Sequence, residues 1–180
     1  MQHKQSLKNA LLPTCLAVAA GLLSGPVFEG SGDWSDLYDW WPAITYGIAM
    51  AWYFWSIRRR WIVPVVAFAG VAASWFLAIE TAVFVGWLDL GGTLNVDEEI
   101  RLAGMAGGAA GIAVYLGAVS SVMPQYCNWR TILFTFCIGT AAGALLDSQY
   151  IDSYTGVMLA SWQGLVTFAL VYRRTAPLGK

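Results

Sequence analysis

The sequence predicts an all-α membrane protein: a compact bundle of six transmembrane helices that forms a single domain over residues 1–180. The composition, the number of separate apolar runs and the distribution of basic residues all point to this fold class. The chain is 58% hydrophobic and 12% charged, whereas a soluble domain carries about 25% charged residues. A membrane helix needs roughly 20 apolar residues, and the chain has room for about six such runs.

The basic residues predict the orientation of the spans. All but one of them lie at the N-terminus, in two short turns or at the C-terminus, and all but one of the acids lie in the three segments between. Because Lys and Arg accumulate on the cytoplasmic side of spanning helices, we predict cytoplasmic N- and C-termini and a multi-pass protein of a cell membrane, of the bacterial inner-membrane type. The two exceptions are Arg101, on the predicted outer side, and Glu80, inside an apolar run.

The apolar runs give the predicted spans in chain order. They cover residues 10–28, 41–57, 61–88, 102–123, 131–146 and 155–172. The first run follows basic residues, a pattern that is also typical of a secretory signal, so a retained helix and a cleaved signal both remain open. The third run would extend about 42 Å as a helix, against a hydrocarbon thickness of about 30 Å. It is therefore expected to tilt, to project outward or to break near Glu80.

A short amphipathic segment precedes the second span. Its apolar residues recur at i, i+3, i+4 and i+7, which places them on one helical face: Trp34, Leu37, Tyr38 and Trp41. We predict a short interfacial helix here, in the first outer loop. Asp33, Asp36 and Asp39 lie off this stripe, but the segment lacks the glycine and the spacing of a calcium-binding loop. No metal site is predicted.

Small residues are concentrated in the fourth span. The glycines that form this ladder are Gly104, Gly107, Gly108 and Gly111. Small residues let two helix backbones approach closely, which drives helix association in lipid. The partner is either a neighbouring span, such as the fifth with Gly139 and Gly143, or a second copy of the chain in a homo-oligomer.

Glu80 is the most distinctive single residue because it lies inside an apolar run. A carboxylate within a membrane costs about 2–3 kcal/mol and is expected to face the bundle interior, a partner or water. Three interpretations follow: an ion pair with Arg101, a binding or proton-coupling site, and an acid that snorkels to the interface. Polar residues at mid-span, Ser74, Ser161, Gln163 and Thr167, also indicate a polar-lined interior.

The leading functional hypothesis is a transporter or channel that binds a small cationic or amphipathic solute from the outer face. The predicted ligand-binding residues are Glu80, Trp75, Phe84, Trp87 and Trp162, which would attract an organic cation through charge and cation–π contacts. The alternative is a structural or assembly subunit of a larger membrane complex. An intramembrane enzyme is the least favoured class, because no nucleophile or acid–base motif occurs.

Several classes of partner and cofactor are excluded. The basic residues form no groove for nucleic acid, and they suit anionic lipid head groups of the bilayer instead. No two of the three cysteines form a CxxC motif, which argues against a thiol–disulfide oxidoreductase. The single histidine, His3, lies at the N-terminus, so a buried haem ligand is missing. No cofactor is predicted.

Overall fold

The computed structural model describes the backbone of residues 2–29, 40–88, 95–144 and 148–175, with side chains for residues 10–24, 40–86, 88, 95–144 and 157–172. These residues form six α-helices and one short 3₁₀ turn. The helices are α1 (Gln2–Glu29), α2 (Trp41–Ile57), α3 (Ile62–Trp87), α4 (Val96–Val122), α5 (Trp129–Gly143) and α6 (Ser148–Thr175), and the 3₁₀ turn is Pro124–Tyr126. No strand occurs in the described part of the chain, so the all-α prediction is confirmed there.

Each helix covers one predicted span, with differences at the ends. Helices α1, α4 and α6 begin six to eight residues before their apolar runs, because polar residues can continue a helix beyond the apolar segment that hydropathy detects. At α4 the extension has a local cause. Asn95 accepts a hydrogen bond from the backbone of Glu98, and the Glu98 carboxylate accepts one from the backbone of Asn95, which forms a capping box. The predicted interfacial helix falls on residues 33–39, outside the described part.

Helix α3 is continuous through Glu80 and Thr81, which excludes one of the three alternatives for this long run, a break near Glu80. By length and composition, α3 and α4 are the two described helices that are long and apolar enough to cross a membrane. The apolar segments Ala10–Ser24 of α1 and Val157–Tyr172 of α6 are shorter.

The six helices form a closed ring. Each helix packs against its neighbours in the sequence, and α6 packs extensively against α1 to close the circle. The seam between α1 and α6 contains small residues: Gly21 of α1 and Gly164 of α6 are buried, and a Cβ atom on Gly164 would lie 2.7 Å from the Val18 side chain. A Cβ atom on Gly21 would overlap the backbone of Ala160, so the two backbones touch. Close approach of this kind requires residues without large side chains.

Candidate functional site

The structure places the predicted ligand-binding residues in different directions. Glu80 and Phe84 are exposed on α3, whereas Trp75 packs partly buried against the core. Trp162, on α6, donates its indole N–H to the carbonyl oxygen of Gly139 on α5 at 3.2 Å. The side chain of Trp87 lies outside the described part. The prediction placed Phe84 and Trp87 on the same helical face as Glu80 and added Trp75 and Trp162 because they lie in the interior of their spans.

Glu80 lies on the side of α3 that is turned away from α4. The side facing α4 carries Ser74 and Ala78, since Cβ atoms on Gly111 and Gly107 would lie 2.9 and 2.5 Å from their carbonyl oxygens. Side chains two residues apart on a helix point in directions that differ by about 200° around its axis, so Glu80 points almost opposite to Ala78. Arg101, on α4, is also exposed, and its pairing with Glu80 stays a prediction.

Large apolar side chains surround Glu80. We call this surface the Glu80 face; it consists of Phe76, Leu77, Glu80, Val83 and Phe84, all of them exposed. Phe76 is 49% exposed and Phe84 is 65% exposed. Trp40, at the start of α2, stacks on Phe76 with ring centroids 6.0 Å apart. Glu80 is thus an exposed acid within an apolar helix surface.

A shallow groove of about 290 Å³ lies between the C-terminal part of α3 and the N-terminal part of α4. It is lined by Val83 and Gly86 of α3 and by Glu99 and Gly104 of α4, among others. Glu80 does not line this groove, and neither do Trp75, Phe84 or Trp162.

The glycine ladder of α4 makes contacts on two sides within the chain. Gly107 and Gly111 face α3, as described above. Gly108 faces α5, because a Cβ atom there would lie 2.7 Å from the carbonyl oxygen of Gly139. Gly104 touches Gly143 through its carbonyl oxygen. All four glycines are buried, so the ladder lies between α3 and α5 and away from the exterior of the ring.

The centre of the ring is filled by side chains, and part of this filling is polar. The hydroxyls of Tyr46 on α2 and Thr167 on α6 are hydrogen-bonded at 2.8 Å. The ring of Tyr115, on α4, lies 6.2 Å from that of Tyr46. The two phenol groups approach each other, but no hydrogen bond of standard geometry joins Tyr115 to a partner. Thr167 also contacts the sulfur of Met50 at 3.8 Å.

Two further polar residues lie within about one helical turn of these contacts. Helix α5 meets α4 and α6 at Gly139, which packs against Ile112 and accepts the hydrogen bond from Trp162. Thr135 is one turn from Gly139, and Gln163 follows Trp162. We call the set the polar layer; it comprises Tyr46, Tyr115, Thr135, Gln163 and Thr167, all buried.

Three members of the polar layer carry unpaired atoms. Tyr115 is 2% exposed, Thr135 is 0% exposed and Gln163 is 1% exposed, and the Thr135 hydroxyl and the Gln163 Oε1 make no hydrogen bond. The Tyr115 hydroxyl approaches Tyr46 but has no hydrogen bond of standard geometry. More than nine in ten buried polar groups in proteins are paired with protein or water. The layer therefore has unused hydrogen-bonding capacity at the centre of the ring.

The interior below the polar layer is closed. Phe54 and Tyr126 pack edge to face with centroids 5.6 Å apart, and both are fully buried. Arg58, just after α2, donates from Nη1 to the carbonyl oxygen of Val122 at the end of α4, at 2.8 Å. Side chains and a hydrogen bond therefore seal the end of the ring that carries the basic turns.

Part of the polar layer was predictable from the sequence. Of the four residues that indicated a polar interior, Ser74, Gln163 and Thr167 are buried, whereas Ser161 bonds the Val157 carbonyl on its own helix. Tyr46, Tyr115 and Thr135 were not predicted. Tyrosine also occurs at membrane interfaces, so its presence in a span carries no clear signal. Tyr115 could have been recognised by its spacing, because it follows Gly108 and Gly111 at intervals that place all three residues on one side of α4.

The fold defines a class rather than an individual protein: an all-helical chain in which two described helices are long and apolar enough to cross a membrane. Comparison with protein-family models, with curated proteins and with solved structures gave no match. The residues of the chain itself therefore carry the functional argument.

Proposed function

We propose that this protein is a six-span membrane protein that acts as an assembly subunit, and that its Glu80 face binds a transmembrane helix of another protein that carries Lys or Arg. The observation that carries this proposal is an exposed carboxylate inside an apolar helix surface. An assembly subunit is the alternative function predicted from the sequence, and in this proposal Glu80 is the residue that recognises the partner.

The distribution of apolar side chains supports six spans. Every helix presents large apolar side chains outward, including Leu23 of α1, Ile48 of α2, Phe84 of α3, Leu133 of α5 and Leu165 of α6. The buried side chains include serines, threonines and a glutamine. A soluble bundle instead carries polar and charged residues on its outer faces. In the membrane-length segment of α3, only 28% of the residues are buried, which is low for the core helix of a soluble protein.

The position of Glu80 makes a partner necessary in lipid. Glu80 lies seven residues before Trp87, or about 10 Å from the outer end of α3. Side chains of a helix lean toward its N-terminus, which in α3 is the cytoplasmic end in the proposed topology. The short Glu80 side chain therefore leans away from the nearer interface, which opposes snorkelling. A cationic partner would offset the cost of about 2–3 kcal/mol of keeping the carboxylate in lipid.

A basic helix suits the Glu80 face better than the other candidates. A second copy that presented the same face would bring Glu80 against Glu80, and like charges repel. The cationic solute expected from the sequence would need the aromatic residues around Glu80 to form a pocket, but Trp75 and Trp162 lie on other sides of their helices. A transmembrane helix with one Lys fits both the flat apolar surface and the single acid.

A designed peptide tests this function directly. The full-length protein, labelled with a fluorophore at Cys127, is placed in lipid vesicles with an acceptor-labelled Leu/Ala helix of about 20 residues. One version of the peptide carries a Lys about 10 Å from its outer end, and the other has Leu there. We expect energy transfer to report at least about tenfold tighter association with the Lys peptide. Glu80→Gln should abolish this preference.

A matched control separates recognition from general charge. Glu99→Gln removes another carboxylate from the outer half of the protein, on α4, and should leave the preference for the Lys peptide intact. Equal binding of the Lys and Leu peptides to the wild type would disprove the proposal. An unchanged preference in Glu80→Gln would show that another group recognises the Lys.

A further inference from the structure

We propose that the polar layer is a binding site for a small neutral molecule that carries at least one N–H or O–H donor. The site consists of groups that the chain buries and leaves unpaired. This inference is independent of the Glu80 face, which lies on the outside of α3, whereas the polar layer lies inside the ring.

The unpaired atoms determine the hydrogen bonds that the ligand must make. The Gln163 Oε1 is a carbonyl oxygen and only accepts, so the ligand must donate to it. The hydroxyls of Tyr115 and Thr135 donate and accept, so either a donor or an acceptor on the ligand satisfies them. Tyr46 and Thr167 already bond each other and hold α2 against α6 beside these groups.

The ligand should be uncharged. The buried polar side chains of the described chain are tyrosines, serines, threonines and a glutamine, with no carboxylate, Lys, Arg or His among them. A full charge in such an interior would have no counter-charge, and burying an unpaired ion is far more costly than burying a neutral polar group. This separates the polar layer from the Glu80 face, which offers a carboxylate and favours a cation.

Packing limits the size of the ligand. Met50, Phe54 and Tyr126 are fully buried, so we expect a ligand of only a few heavy atoms. Water and small amides or alcohols share this chemistry, and the experiment distinguishes them.

The test uses three molecules of one shape and different charge: acetamide, acetate and acetamidinium. Binding to the full-length protein in lipid nanodiscs is followed by saturation-transfer NMR. We expect acetamide to bind and the two ions not to bind. Tyr115→Phe, Thr135→Val and Gln163→Leu each remove an unpaired group with little change of shape, and each should weaken acetamide binding about tenfold, the effect of losing one good hydrogen bond.

Thr140→Val is the matched control. The hydroxyl of Thr140 is also buried and unpaired, but Thr140 lies five residues from Thr135, about 140° around α5. This substitution should leave acetamide binding unchanged, as should Glu80→Gln. A loss of acetamide binding in Glu80→Gln would contradict the independence of the two sites and place the neutral ligand at the Glu80 face.

A second measurement identifies water as the occupant. Magnetisation transfer from water to the Tyr115 hydroxyl, which Tyr115→Phe should abolish, would show that water occupies the site. This result supports the proposal even if acetamide does not displace the water. The proposal is overturned if neither acetamide nor water contacts the layer. It is equally overturned if acetamidinium binds more tightly than acetamide, or if acetamide binding is the same in all three layer variants and the wild type.

Discussion

Tyr46 and Thr167 show at the scale of single residues how the ring is held together. They lie 121 positions apart in the chain, yet their hydroxyls are 2.8 Å apart and buried. Removal of one partner leaves the other as a buried, unpaired hydroxyl. Such a loss costs about 1–3 kcal/mol in soluble proteins, whereas measured side-chain hydrogen bonds in membranes contribute roughly 0.6–2 kcal/mol. The bond joins α2 to α6 across the ring.

We therefore predict that Tyr46→Phe and Thr167→Val each lower the free energy of unfolding by about 1 kcal/mol. The double variant should lose less than the sum of the two, because it leaves no orphaned hydroxyl. Chemical unfolding in mixed micelles measures the three values. Ser161→Ala is the control, since Ser161 bonds only its own helix. Strictly additive losses would mean that the hydrogen bond contributes nothing to stability.

At the scale of the helix, the packing of α4 depends on its glycines, which have no side chains. Its glycines let α3 approach from one side and α5 from the other, and their positions on the helix assign Gly107 and Gly111 to α3 and Gly108 to α5. Gly117, on the same helix, is exposed and has nothing within 4 Å of its Cβ position. The helix therefore contains both essential and dispensable glycines.

Gly108→Leu is expected to destabilise the protein by about 1–3 kcal/mol, the usual effect of overpacking, because the new side chain meets the backbone of Gly139 and Gly143. Gly117→Leu should be neutral or slightly stabilising, since glycine is a poor helix former. Thermal unfolding and size-exclusion chromatography in detergent measure stability and oligomeric state. Equal stability of the two variants would contradict the packing described for α4.

At the scale of the whole molecule, the ring has two chemically different ends. The turns with Arg58 and Arg130 lie at one end, and the capped start of α4 with its acids, Asp97, Glu98 and Glu99, lies at the other. Basic residues accumulate on the cytoplasmic side, which fixes the proposed orientation of all six helices at once because neighbouring helices alternate in direction.

This orientation predicts the accessibility of cysteines. Cys127 is exposed in the turn between α4 and α5, and it should react with a membrane-impermeant thiol reagent only after the cells are permeabilised. Val96→Cys, at the exposed start of α4, should react in intact cells. Labelling of Cys127 in intact cells would contradict the proposed orientation.

Several features of the fold were predictable because they depend on local sequence. Apolar runs located all six helices to within a few residues at most ends, since hydropathy reflects composition over about 20 residues. The glycine ladder was recognisable for a similar reason: small residues at a fixed spacing lie on known sides of any helix. The neighbours of Glu80 on its own helix, such as Phe76 and Phe84, also follow from this periodicity. Whether this face points inward or outward was not predictable, because α3 is apolar on all sides.

The sequence by itself determined where the helices lie and which charges are exceptional. Only the tertiary structure decided which neighbour each helix surface meets. It turned Glu80 outward by packing Ser74 and Ala78 against α4, and it brought Tyr46, Tyr115, Thr135, Gln163 and Thr167 together from four helices. The physical reason is that helical periodicity gives the angle of each residue around its own axis, whereas the rotation of that axis relative to its neighbours depends on close packing between distant parts of the chain.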